Sequence, residues 1–220
     1  GVRLVGSEMC IRDRSNGNPP TNVGENLGLN LLDNKIIFDA QISAVDPTIW
    51  SYDLQNGNLV ELSSQVVAPS ERVSPVLLNN KLWFDCITGT TAEELCVSDG
   101  TTAGTKVIHE FQPGMASAEI RSILPIGDHL LIIADGEIDG FDTGHCLWSF
   151  STLTLEAELV YDPWSGVGNN SDSGNYGALV GNPELVIFVA DNGLTGMELH
   201  LWSPLTLQDE WLIWLSLIHI

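Results

Sequence analysis

The sequence predicts an all-β chain made of about four copies of one four-stranded antiparallel unit. Three observations carry that reading. Short apolar runs return at intervals of 46, 48 and 55 residues, each follows a two-residue turn signal, and none is long enough for a typical helix.

The elements follow in chain order. In the first copy Leu31-Leu32, the turn Asp33-Asn34 and the run Lys35–Phe38 read as a hairpin. The second copy repeats it with Leu77-Leu78, Asn79-Asn80 and Lys81–Phe84, and the third with Pro125-Ile126, Gly127-Asp128 and His129–Ile133. The fourth has Leu179-Val180, Gly181-Asn182 and Glu184–Phe188. Asn, Asp and Gly tolerate the backbone of a tight turn, and the runs are rich in β-branched and aromatic residues. A small residue closes the second strand at Ala40, Cys86, Ala134 and Ala190. Ten positions on stand Trp50, Cys96 and His200, while the third copy reaches Trp148 after fourteen. A last strand then opens at Val60, Lys106, Glu158 and Glu210, which sets copies over 15–63, 74–112, 121–162 and 177–214 within one domain, 15–214. A unit of this kind buries both sheet faces only against neighbours.

The two ends stand apart from the repeats. LVGSEMCIRDR (Leu4–Arg14) resembles a translated sequencing-library adaptor, and LSLIHI (Leu215–Ile220) resembles the same adaptor read from the opposite strand. Residues 1–14 and 215–220 are therefore expected to lie outside the fold. WLIWLSLIHI, at the end of the chain, is too short to cross a bilayer, which takes about 20 residues, so no transmembrane segment is expected.

Composition narrows the function classes. A hydrophobic content of 44% argues for a packed core. The net charge is −21, and within 15–214 the only basic side chains are Lys35, Arg72, Lys81, Lys106 and Arg121. Too few cations remain to neutralise a phosphate backbone or bind an anionic membrane, so nucleic acid is excluded as a partner. Cys86, Cys96 and Cys146 follow no zinc spacing.

ELCVSDGTTAGT (Glu94–Thr105) and FVADNGLTGMEL (Phe188–Leu199) together resemble the bacterial ELW-x-x-DGT repeat family, with Cys96 and His200 where the family has Trp. Copies one and three keep the strands and lose DGT, ending their third strands in YDLQNGN and SFSTLTL. The resemblance implies β-propeller-like blades in a secreted or surface-exposed bacterial protein, and it implies no catalytic residue. The expected molecule is a β-propeller fragment of about four blades, with an open arc as the alternative to a closed ring. The missing neighbours would be other blades of a longer parent chain.

Three departures from the pattern are candidate sites. Cys86 and Cys96 replace the Ala and Trp of two columns expected to face each other, so they form either a disulfide or two buried thiols. DGEIDGFDTG (Asp135–Gly144) resembles the opening of a calcium loop, with Asp135, Glu137, Asp139 and Asp142 as metal ligands for Ca2+. The long loop Pro163–Gly177 offers Trp164 and Tyr176 for ligand binding. No H-E-x-x-H, G-x-S-x-G or phosphate loop occurs, and Ser98–Thr101 does not meet the sialidase-type Asp box. His109, His129, His145 and His200 fall in or beside strands without evident partners. The expected role is a non-catalytic extracellular binding or structural module contacting a protein, a glycan or calcium. The alternative is a fragment of a polysaccharide-active propeller enzyme.

Overall fold

A computed structural model describes residues 23–41, 47–67, 73–88, 90–166, 169–174 and 178–203. Both adaptor-like ends, the last strand expected from Glu210, and Tyr176 lie outside the described residues.

The first copy contains β1 (Asn30–Leu32), β2 (Lys35–Ala40), β3 (Thr48–Asp53) and β4 (Leu59–Val67), and the second β5 (Val76–Leu78), β6 (Lys81–Thr88), β7 (Glu94–Ser98) and β8 (Lys106–His109). The third contains β9 (Ser122–Ile126), β10 (His129–Ile138), β11 (Phe141–Ser151) and β12 (Ala157–Tyr161). The fourth shows β13 (Val180–Gly181), β14 (Val186–Asp191) and β15 (Met197–Trp202). Every pairing is antiparallel. No helix occurs among the described residues.

The register repeats from copy to copy. Phe38 pairs with Trp50, Phe84 with Cys96, Ile132 with Trp148 and Phe188 with His200. Two residues along, the small residues Ala40, Cys86, Ala134 and Ala190 pair with Thr48, Glu94, Cys146 and Glu198. The small-residue column and the Trp/Cys/His column are therefore diagonal neighbours on one face, rather than directly opposite. The four extra residues of the third copy lengthen β10 and β11 and leave this register intact.

Strand alternation assigns the two faces to different neighbours. In β6, Leu82, Phe84 and Cys86 pack with Ile37, Ile49 and Leu62 of the first copy, whereas Trp83 packs with Leu130, Ile132 and Trp148 of the third. In β10, Leu130 and Ile132 face the second copy, while Leu131 and Ile133 meet Val186 and Phe188 of the fourth. Each core thus lies between consecutive copies, as the repeat pattern requires. One connection was not legible in the repeat: Val66 and Val67 of β4 pair with Thr88 and Ile87 of β6, so the first two copies form one eight-stranded sheet.

Candidate functional site

The Glu94–Thr105 motif folds as a turn whose polar groups satisfy one another. Asp99 Oδ1 accepts the Thr101 amide at 2.9 Å and its hydroxyl at 2.6 Å. The Gly104 amide donates to Thr101 Oγ1, and the Thr105 hydroxyl donates to the Thr101 carbonyl. The Thr101 hydroxyl, with its amide and nearby Lys35 adding to the effect, holds the Asp99 carboxyl below its ordinary range. A Cβ on Gly104 would fall 2.0 Å from Asp99 Oδ1, so only glycine lets the carboxylate lie across this turn. Glu94, at the head of the motif, is wholly buried and accepts the Phe111 and Gln112 amides at 2.7 and 3.2 Å. Burial outweighs those bonds and lifts its carboxyl to about 8. These contacts give the motif a structural role.

The motif nevertheless borders a cleft. Lys35 Nζ, from the first copy, donates to the Gly100 carbonyl at 2.8 Å. Beside this link opens a cavity of about 300 Å3, walled by Ser51, Asp53, Asn58 and Val60 on one side and by Thr101 and Thr102 on the other. Sequence reasoning missed it, because its walls come from segments about 45 residues apart.

The carboxylates of the third copy do not form a loop. Asp139-Gly140 adopts a two-residue turn with φ 53° and 81°, and the flanking residues continue the ladder of β10 and β11. An Asp-Gly pair with both residues left-handed matches the strand twist, so a hairpin forms where a metal loop was expected. Asp135 is half-buried, while Glu137, Asp139 and Asp142 are exposed along the arm. Among the described residues no group of three or more His, Cys, Asp or Glu side chains is arranged to hold a metal ion. These four carboxylates therefore do not fit the convergent ligand set of a calcium loop. Asp135 instead accepts the Gln112 amide at 3.0 Å and lies within hydrogen-bonding reach of Asp142. Burial, with the Asp142 carboxylate adding to it, lifts Asp135 to about 6.

Three of the four histidines named above have partners that the sequence did not reveal. His200 Nδ1 lies 3.0 Å from the Tyr161 hydroxyl, and its ring stacks on Phe188. His109 packs edge-on against Phe111. His145 Nε2 stands 3.4 Å from Glu119 Oε2 without making a hydrogen bond. Burial lowers all three and favours the neutral imidazole.

Cys86 and Cys96 are joined through their sulfurs in the structure, with Cα atoms 5.8 Å apart on the face toward the first copy. Cys146 is a buried free thiol, raised well above its ordinary range by burial. Trp164 is half-buried, and its indole lies over Gly193, where a Cβ would come 2.3 Å from the ring. It is thus occupied by the fourth copy, rather than standing free in its loop. Trp83, Trp148 and Trp202 are core residues.

No protein-family model and no curated protein matches the chain. Among solved structures it is similar to puromycin hydrolase, with a TM-score of 0.51 and 12% identity over 82% of this chain and 27% of that one. A mutant of the same enzyme complexed with PGG gives a TM-score of 0.50 at the same identity and coverage. TolB from Acinetobacter baumannii aligns over 79% of this chain and 39% of that chain at 13% identity, with a TM-score of 0.43. The chain spans about a quarter of the length of puromycin hydrolase. Identity this low speaks to fold alone, and the fold is all-β, built from antiparallel β-propeller blades.

Proposed function

We propose that the chain is a non-catalytic binding or structural module of an extracellular or cell-surface protein, presenting loops and clefts from a propeller scaffold to a protein or glycan. The observation that carries this reading is how two of the three wholly buried carboxylates among the described residues are used. Asp39 accepts the Asn26 and Leu27 amides, and Glu94 accepts those of Phe111 and Gln112, so both close loops onto strands. The composition supports the same setting, since an acidic surface favours solubility and disfavours polyanionic partners. Among the described residues no helix is long and apolar enough to cross a membrane.

The polysaccharide-active alternative calls for two carboxyl groups about 5 to 10 Å apart across an open cleft. Asp135 and Asp142 lie within hydrogen-bonding reach of each other, closer than that spacing. Incubating the chain with soluble polysaccharides and assaying new reducing ends tests the choice. The proposal expects none, and sustained release would establish an enzyme.

A further inference from the structure

Resting on the reading as a binding module, we infer that the cleft between the first copy and the Gly100–Thr102 turn binds one sugar unit of a neutral glycan. Its volume, about 300 Å3, lies at the lower end of the range for small-ligand sites, about 300 to 1,000 Å3.

The lining selects the ligand by elimination. An isolated cation meets the Lys35 ammonium, which the Gly100 carbonyl fixes at the cleft wall. An anionic polymer meets a molecule of net charge −21. A neutral ligand rich in hydroxyls meets neither obstacle and can use groups of both kinds. Lys35 has further N–H donors beyond the one given to Gly100. Asp53 is held in place by the Gln55 and Asn56 amides on Oδ1 and the Asn56 side chain on Oδ2, and its carboxylate keeps lone pairs for a further donor. The side chains of Asn58 and Thr102, both exposed, make no hydrogen bond among the described residues and supply an amide and a hydroxyl. Val60, 46% exposed, adds an apolar surface for the C–H face of a ring. Mixed donors and acceptors around a small apolar floor are what a pyranose requires.

The test is electrophoresis of the whole chain through native gels containing β-glucan, galactomannan or dextran, with polygalacturonate as the anionic arm. At least one neutral polymer is expected to retard the chain while polygalacturonate does not. Asn58→Ala and Thr102→Ala, whose melting should match the parent because neither side chain bonds within the fold, are each expected to weaken retardation by about tenfold. Trp164→Ala is expected to leave it unchanged. Retardation by none of the neutral polymers overturns the inference. So does retardation that survives both substitutions, although glycan binding elsewhere would then keep the module reading. Reducing-end release, with retardation still lost in Asn58→Ala, would instead overturn the non-catalytic reading and leave the cleft in place.

Discussion

The side-chain amide of Asn80 donates to the carboxylate of Asp33 at 2.7 Å, tying the first turn of the second copy to the first turn of its neighbour. Asn79 extends the link the other way, donating to Asp128 Oδ1 at 3.1 Å and to Thr152 Oγ1 at 2.9 Å. The same residues also hold left-handed backbone, with φ of 51° at Asp33, 52° at Asn79 and 54° at Asn80. The same turn residues therefore shape the hairpin and join the blades.

The two roles separate by substitution. Asn80→Gly keeps the left-handed backbone and removes only an exposed hydrogen bond, so urea denaturation should show a loss of about 0.5 kcal/mol. Asn80→Ala also strains the turn and should cost about 1 to 2 kcal/mol. Equal losses would mean that the left-handed backbone adds nothing, and no loss in Asn80→Gly would mean that the bridge to Asp33 contributes nothing.

The contributions of Glu94 and Asp135 to stability should fall as pH rises from about 4 to 8, while the buried histidines His109, His145 and His200, with lowered values, act in the opposite direction up to 6.5. Glu94 holds its proton more tightly folded than unfolded, so its contribution is complete below 4.5 and is lost as pH passes about 8. Asp135 acts in the same direction, with its contribution complete below 3.8 and lost through about 6. Glu94→Gln sets an NH2 group against a backbone amide, so it should cost about 1 to 3 kcal/mol at pH 5 and flatten the slope. Thermal melting of parent and variant from pH 4 to 9 isolates the Glu94 contribution, and a difference between the two that does not shrink between pH 5 and 8 would contradict the assignment.

Leu155→Gly should stabilise the chain by about 1 kcal/mol. The turns after β3 and β11 have the same backbone bonds: Asp53 N to Asn58 O with Gly57 N to Asp53 O, and Ser151 N to Glu156 O with Leu155 N to Ser151 O. Gly57 takes φ 74° in the first, and Leu155 is held at φ 62° in the second. The reciprocal Gly57→Leu should destabilise by a similar amount, and chemical denaturation of both variants decides.

Under denaturing, non-reducing conditions Cys86 and Cys96 should resist alkylation while Cys146 reacts. Reductant should then expose both and cost about 2 to 3 kcal/mol, the chain-entropy value for a loop of this length. Full labelling of all cysteines before reduction would show two thiols instead.

The hairpins and the ten-residue spacing from Ala40 to Trp50 were legible because strand alternation and turn chemistry are local, whereas the register that pairs Trp50 with Phe38 and sets Ala40 diagonal to it was not. The Trp148 shift was readable as an insertion, but its accommodation as a longer hairpin depended on Asp139-Gly140 acting as a turn, a signal present in the sequence and read as a metal loop. The partners of Glu94, His145 and His200 were hidden, since they lie 17 to 39 residues away on segments that meet only in the fold, and for His200 the partner Tyr161 belongs to the preceding copy. The cleft at Lys35 was hidden because its two walls belong to neighbouring copies.

The pairing of Val66 and Val67 with Thr88 and Ile87 has a mechanical consequence. Strand ladders join the first copy to the second, whereas the second, third and fourth belong to separate sheets that meet through side chains and loop contacts. Pulled from its ends, the molecule should yield first at a boundary after β8 and keep the leading pair of blades as one load-bearing block. A force trace would then show one long extension step, about twice the contour of a single blade, after the shorter ones.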